Sequence, residues 1–387
     1  MPTLRVDVNP EIFNWVIQNI NIDNIKEKSR DQLFLWQNRS KLPTFNQLEE
    51  FSATTNIPFG YFFLNTPPEE KKELLEYRTV DSLEIEKPSR NLIDTINDME
   101  YVQEWMRKYI KRSELSKLDF VGTLKDTNDI NKIASVIRAR LDLSKEWYLE
   151  SSGAWDSFKL IRKKLESIGI IVMMNGIVGS NTHRPLSIQE FRAFTLIDEY
   201  APLIFINAKD SANGRLFSLV HEIAHIWFGV NSFYNDYNYF VNQVSSIEMI
   251  CNAVAAELLV PVEIFNCKWE ENKTTSQKER INDIANYFRC GTIVVARKAL
   301  DEKLINRKTY TNVVKEAIEN YKNKINKKNK GGDSYNNLMS RLDKRLVVAL
   351  KNSVYEGETE FTEAYMLTNT SRKTFSELVK IIAGTDV

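Results

Sequence analysis

Glycine is scarce in this chain, 13 of 387 residues, against a usual share of about 7%. Few glycines leave few tight turns, which favours helices over a sandwich or barrel. Cysteine is scarcer still: Cys251, Cys267 and Cys290 show no CxxC spacing, which excludes a disulfide framework. Neither charge is in surplus, with Lys+Arg and Asp+Glu both at 52. Global attraction to nucleic acid or to an anionic membrane is therefore not expected, although a local patch is compatible with this balance. No apolar run approaches the ~18 residues of a membrane span. The opening MPTLRVDVNPEIFNW lacks the basic region and apolar stretch of a signal peptide. These absences lead us to expect a cytoplasmic protein with no membrane partner. What is present, 43% hydrophobic and 27% charged residues, is ordinary for a folded chain, and the length predicts two or three domains at roughly 100–200 residues each.

Residues 1–66 read as short helices. Pro10 is placed for a helix start, with Ile12, Trp15, Val16 and Ile20 following at helical spacing. Leu33, Phe34 and Trp36 form a second apolar set, and Thr44 caps a third helix carrying Phe45, Leu48 and Phe51. Pro67 and Pro68 mark a boundary. A connecting region over 67–150 is helical again, with a long amphipathic stripe through Leu92, Ile96, Met99, Trp105 and Tyr109. Within 151–300 the texture changes. A helix over about 153–168 precedes three short apolar runs of strand character, 170–174, 191–197 and 203–207. Two strongly apolar helices follow, near 215–229 and 246–260, the second stopped by Pro261. The fold class expected is α+β, predominantly helical. Residues 301–387 are helical once more. Across 297–345 there are 14 Lys/Arg against 6 Asp/Glu, five of the lysines in KNKINKKNK at 322–330. That run reads as a solvated linker, with a phosphate-binding patch as the alternative.

The segment that carries chemistry is LFSLVHEIAHIWFG, residues 216–229. His221 and His225 project from one helical face, where two imidazoles can bind one Zn²⁺. Glu222 sits beside the first histidine on the side where an attacking water would lie, the HExxH arrangement of zinc peptidases. A helix apolar on every face must be interior, and two histidines and a glutamate inside it are costly without a compensating partner. The third ligand has two candidates: Glu248, which opens SSIEMICNAVAAELLVP, and His183, the one remaining histidine. Glu248 suits better, because it begins a helical face with Asn252, Ala255 and Leu259, and the small Ala253, Ala255 and Ala256 allow close packing against the first helix. Asn252 is placed to orient Glu248. Cys251 reads as a small buried residue. The expected cofactor is one Zn²⁺ per chain, held by His221, His225 and Glu248, with Glu222 as general base. Mn²⁺ or Fe²⁺ also suits such a donor set. Tyr234, Tyr237, Tyr239 and His183 are possible donors to an oxyanion.

VHEIAH followed by IEMICNAVAAELLVP, and FRAFTLIDEYAPLIFIN leading into GRLFSLVHEIAH, resemble the ImmA/IrrE family of metallo-endopeptidases. The resemblance implies a zincin-like core and sets the family's two histidines on His221 and His225, its metal-binding glutamate on Glu248 and its general base on Glu222. Residues 36–63 resemble the closing part of an XRE-type helix-turn-helix, and the tail resembles the C-terminal region of longer fusions. The N-terminal region departs from that pattern: it looks several residues short between Trp15 and Trp36, and over 1–66 it holds 6 Lys/Arg against 7 Asp/Glu, where a DNA-binding face should be basic. Lys26, Lys28, Arg30, Arg39 and Lys41 would have to gather on one side for DNA binding. Otherwise the region serves homodimerisation or partner docking. The family implies a regulatory protease that cuts a specific repressor or antitoxin. The rival reading is an antitoxin or transcriptional regulator that binds a toxin, another protein or DNA, its metal site structural.

Overall fold

Pro10 at the first helical position and the Asn9 side chain, which accepts from the Glu11 amide at 3.0 Å, start α1 (Pro10–Asn19). In the computed structural model, residues 4–20, 22, 25–69, 88–234, 246–271, 276–325 and 334–383 are described. Two further helices follow, α2 (Glu27–Gln37) and α3 (Phe45–Thr55). The Thr44 hydroxyl and the Gln47 side chain close a reciprocal capping box on α3. Phe13, Trp36, Phe51 and Phe62 pack into a small core of their own, with Trp36 edge-on to Phe51 at 5.4 Å. Two of the basic residues needed for a nucleic-acid face have local partners instead: Arg39 faces Asp7 at 3.5 Å, and Arg30 donates to the Ile25 carbonyl at 3.4 Å.

The remainder is built around one small sheet. After α4 (Arg90–Arg112), α5 (Ile130–Arg140) and α6 (Ala154–Ser167) come β1 (Ile171–Asn175), a hairpin of β2 (Ile177–Val178) and β3 (Asn181–Pro185), then β4 (Ala193–Leu196) and β5 (Leu203–Asn207). Helix α7 (Ala212–Phe228) leads to β6 (Ser232–Tyr234). The order across the sheet is β1-β5-β4-β6, with β1 parallel to β5 and the other pairs antiparallel. The two-residue period sorts the side chains between the faces. Val172, Met174, Ile204 and Ile206 join the core that contains α7, whereas Ile171, Met173, Phe194, Leu203 and Phe205 join a second core on the far side. Both faces are buried, so these strands read as continuous apolar runs.

The α7 face is completed by α5, α6, α8 (Ser246–Leu259), α9 (Val262–Glu271), α10 (Gln277–Tyr287), α11 (Thr292–Asp301) and the start of α12 (Arg307–Ile325). The opposite face is covered by α4 with α13 (Ser334–Arg341), α14 (Lys344–Tyr355), α15 (Phe361–Thr368) and α16 (Arg372–Ala383). The cores run across positions 150 and 300: Phe120, Ile133, Trp147 and Tyr148 pack with α7, as do Ile305 and Tyr310. No described helix is long and apolar enough to cross a membrane. The lysine run at 322–330 falls largely outside the described residues.

The open edge of β1 is closed by side chains. The Val172 amide donates to Asp343 Oδ2 at 3.0 Å, and its carbonyl accepts from Arg162 Nη2 at 2.8 Å. Arg162 also pairs with Glu166 at 2.7 Å and reaches the Ser340 and Leu342 carbonyls. One arginine on α6 and one aspartate at the start of α14 thus satisfy groups that a fifth strand would otherwise take.

Candidate metal centre

Ser211 caps the start of α7 by accepting from the Gly214 amide at 2.9 Å. Every residue from Leu216 to Phe228 is buried. The far end is sealed by a loop that the sequence did not mark. The Gly122 amide donates to the Ile226 carbonyl at 3.0 Å, and Leu124 to that of Trp227 at 2.9 Å. Phe120 stacks on Trp227 with centroids 4.7 Å apart. Gly229 ends the helix in the left-handed region, φ 68°, and a Cβ there would meet Gly122 Cα at 2.8 Å. Gly229→Ala is expected to cost about 1–3 kcal/mol, read as a lowered urea midpoint; an unchanged midpoint would contradict this packing.

His221 and His225 lie one turn apart and 0–1% exposed, with their Nε2 atoms 3.2 Å from each other. The carboxylate of Glu248, in the first turn of α8, spans both: Oε2 is 3.0 Å from His221 Nε2 and Oε1 is 3.2 Å from His225 Nε2. One donor atom from each of the three residues falls within 4.8 Å of the others. Asn252, one turn along α8, contacts His221 Nδ1 through Oδ1 at 3.0 Å. Asn252, expected from spacing beside Glu248, thus reaches the histidine. With a carbonyl oxygen at Nδ1, the His221 proton sits there and the Nε2 lone pair faces the cluster.

The donor set fits a divalent ion. Two nitrogens bound to one tetrahedral zinc at ~2.0–2.1 Å stand about 3.3 Å apart, close to the spacing found. An imidazole lone pair facing a carboxylate oxygen is repulsive unless a cation lies between them. His183 is on exposed β3 and outside this group. Tyr237 and Tyr239 lie outside the described residues, and only the backbone of Tyr234 is described, as part of β6.

Glu222 is fully buried, and Oε2 accepts from the Thr195 hydroxyl at 2.5 Å, while the buried Ser232 side chain also acts on the carboxylate. Burial pushes its carboxyl up to about 7, against the opposing effects of His225 and Thr195. Burial acts in the same direction on Glu248, but the two histidines against it outweigh burial and hold that carboxylate well below the usual range. The Cys251 thiol is buried and pushed well up by desolvation and by the two glutamates, which keeps it a neutral packing residue. Sequence reasoning missed Thr195. Its signal was present: a lone hydroxyl residue in β4, whose alternation with Phe194 and Leu196 turns it toward α7.

Residues 175–300 match the family model of the IrrE N-terminal-like domain, peptidase family M78. The matched stretch is about a third of the chain and contains His221, Glu222, His225 and Glu248. It supports a metallopeptidase-type function in general. Residues 342–381, which cover the far face of the sheet, match a domain of unknown function (DUF8813). No curated protein and no solved structure matches the chain.

Proposed function

We propose that the protein is a zinc-dependent endopeptidase in which His221, His225 and Glu248 hold the metal and Glu222 is the general base. The convergence of two histidine Nε2 atoms and one carboxylate on a single point carries this reading. Zinc bound by these three residues supplies Lewis acidity, polarising a peptide carbonyl and acidifying water. Glu222, with one oxygen anchored to Thr195, takes the proton from the attacking water. It later returns a proton to the leaving amine. A carboxyl near neutrality suits both transfers.

The substrate in this proposal is an extended segment of one regulatory protein, of repressor or antitoxin type, as the resemblance to ImmA/IrrE peptidases implies. Such a segment can add to a sheet edge, while helical flanks select the partner. The test of the metal assignment is elemental mass spectrometry of exhaustively dialysed protein. About one zinc per chain is expected in the wild type and in His183→Ala, with affinity lowered more than about 100-fold in Glu248→Ala. Absence of metal from the wild type, or equal retention by the two variants, would refute it.

A further inference from the structure

Away from the metal centre, a cavity opens where the carboxyl end of β1 meets α4, the β2–β3 hairpin and the C-terminal helices. Its inner part, about 60 Å³, is bordered by Asp98 and Met99 of α4, Met173 of β1, Phe205 of β5 and Arg341 at the end of α13. It adjoins an outer cleft of about 480 Å³, and the two share Asp98, Gly179, Ser180 and Asn369. Gly179 adopts φ 53°, and a Cβ there would stand 2.8 Å from Asn369 Oδ1, so a side chain would crowd the junction between the two parts.

The charges around this space are unevenly matched. Asp94 is shared by Arg90 and Arg184, each at 2.6 Å. Asp98, one turn further along α4, has no hydrogen-bond or ion-pair partner among the described residues, and neither has Arg341. Both are half-buried. Burial and the charge of Asp94 push the Asp98 carboxyl up to about 6 despite Arg184, and burial depresses the Arg341 guanidinium. Leaving one carboxylate and one guanidinium partly desolvated and unpaired is costly unless something completes them. Met99, Met173 and Phe205 give the wall of the same cavity a soft apolar character.

We propose that this cavity binds a small zwitterion of amino-acid size, with its ammonium on Asp98, its carboxylate on Arg341 and an apolar side chain against Met99, Met173 and Phe205. The inner space of 60 Å³ admits about four water-sized groups, the number of heavy atoms in a leucine side chain, so the charged ends of the molecule take room in the adjoining outer cleft of about 480 Å³, which Asp98 also borders. The site is separate from the metal centre, so binding does not depend on the proposed peptidase reading.

The test is isothermal titration of the full chain with L-leucine, 3-methylbutylamine and 4-methylpentanoate, repeated with Glu222→Gln protein. Saturable one-to-one binding of leucine is expected in both proteins, with the amine and the acid each at least about tenfold weaker. Asp98→Asn and Arg341→Gln should each weaken leucine by at least about tenfold, and Asp98→Asn should leave 4-methylpentanoate unaffected. Ser180→Trp, at an exposed position on the rim, should block leucine without touching either charge. Circular dichroism and thermal unfolding establish that the variants are folded. No saturable heat with leucine, methionine or phenylalanine up to about 10 mM would overturn the proposal and leave a water-filled cavity. Leucine binding unchanged by all three substitutions, or equal affinity for the amine or the acid, would overturn it as well.

Discussion

Glu222→Gln is expected to lower the rate of peptide hydrolysis by about 10²–10⁴-fold, the usual contribution of a positioned general base, while leaving metal content and fold intact. The substitution is nearly isosteric. A glutamine can still accept from the Thr195 hydroxyl, so the bond at 2.5 Å has a neutral replacement. It also removes an ionisable group whose charge is disfavoured by complete burial, so no stability penalty follows from charge. What is lost is the capacity to take and return a proton. The measurement is single-turnover cleavage of the partner protein by wild type and variant, beside the zinc content of each. A variant that loses its zinc would show that Glu222 acts structurally. A zinc-loaded variant cleaving within tenfold of wild type would show that another group is the base. A zinc-loaded, inactive variant should in turn hold its uncleaved partner, which makes it the reagent for identifying that partner.

Glu257→Ala should be strongly destabilising although it lies outside the metal centre, costing about 3–5 kcal/mol. Glu257 lies on α8, nine residues beyond Glu248 and on the same buried helix. Its carboxylate pairs with Lys298 at 2.7 Å, accepts from the Val262 amide at 3.2 Å and faces Arg138 at 3.9 Å. All three charged side chains are 9–11% exposed. Truncation leaves the Lys298 ammonium and the Val262 amide without this acceptor, while Arg138 keeps only the backbone carbonyl of residue 257, and the uncompensated charge dominates the cost. Urea unfolding followed by circular dichroism reads the effect. Glu257→Gln, which keeps an acceptor for Val262, should lose clearly less than Glu257→Ala. Equal losses would mean that packing at this position, and not charge, is what matters.

The apolar segments of the chain announced their own structure. The runs read at 170–174, 191–197 and 203–207 are β1, β4 and β5, and the two apolar helices are α7 and α8 with nearly the bounds expected. Burial on both faces made these strands continuous apolar runs, and Pro261 fixed the end of α8. The hairpin of β2 and β3 escaped notice because β3, Asn-Thr-His-Arg-Pro, is almost wholly exposed and carries no apolar alternation. The three residues of β6 are too few for any period to register. At the metal centre, helical spacing alone was enough to place His221 and His225 on one face. The contact of Glu248 with both rested on a judgement about helix packing, and the partner of Asn252 could not be read from spacing: Glu248 and His221 both border it. Thr195, twenty-seven residues before Glu222, depends on strand register, which only the folded sheet reveals.

The Arg162 and Asp343 contacts with Val172 bear on how this protein could have been assembled over evolution. The segment matching a domain of unknown function starts at Leu342, whose carbonyl is bound by Arg162, and Asp343 follows at once. A module that could be gained or lost freely would meet its neighbour through surfaces that are stable when bare. Here its second residue, Asp343, takes the Val172 amide at the strand edge, its first, Leu342, accepts from Arg162, and its helices cover Phe194 and Phe205. A peptidase core without this segment would present an unsatisfied β-edge beside an uncovered aromatic face, the combination that invites strand addition by another chain. The segment matching 342–381 thus covers the edge of β1 and one face of the sheet, and a chain without it would need other residues to cap β1.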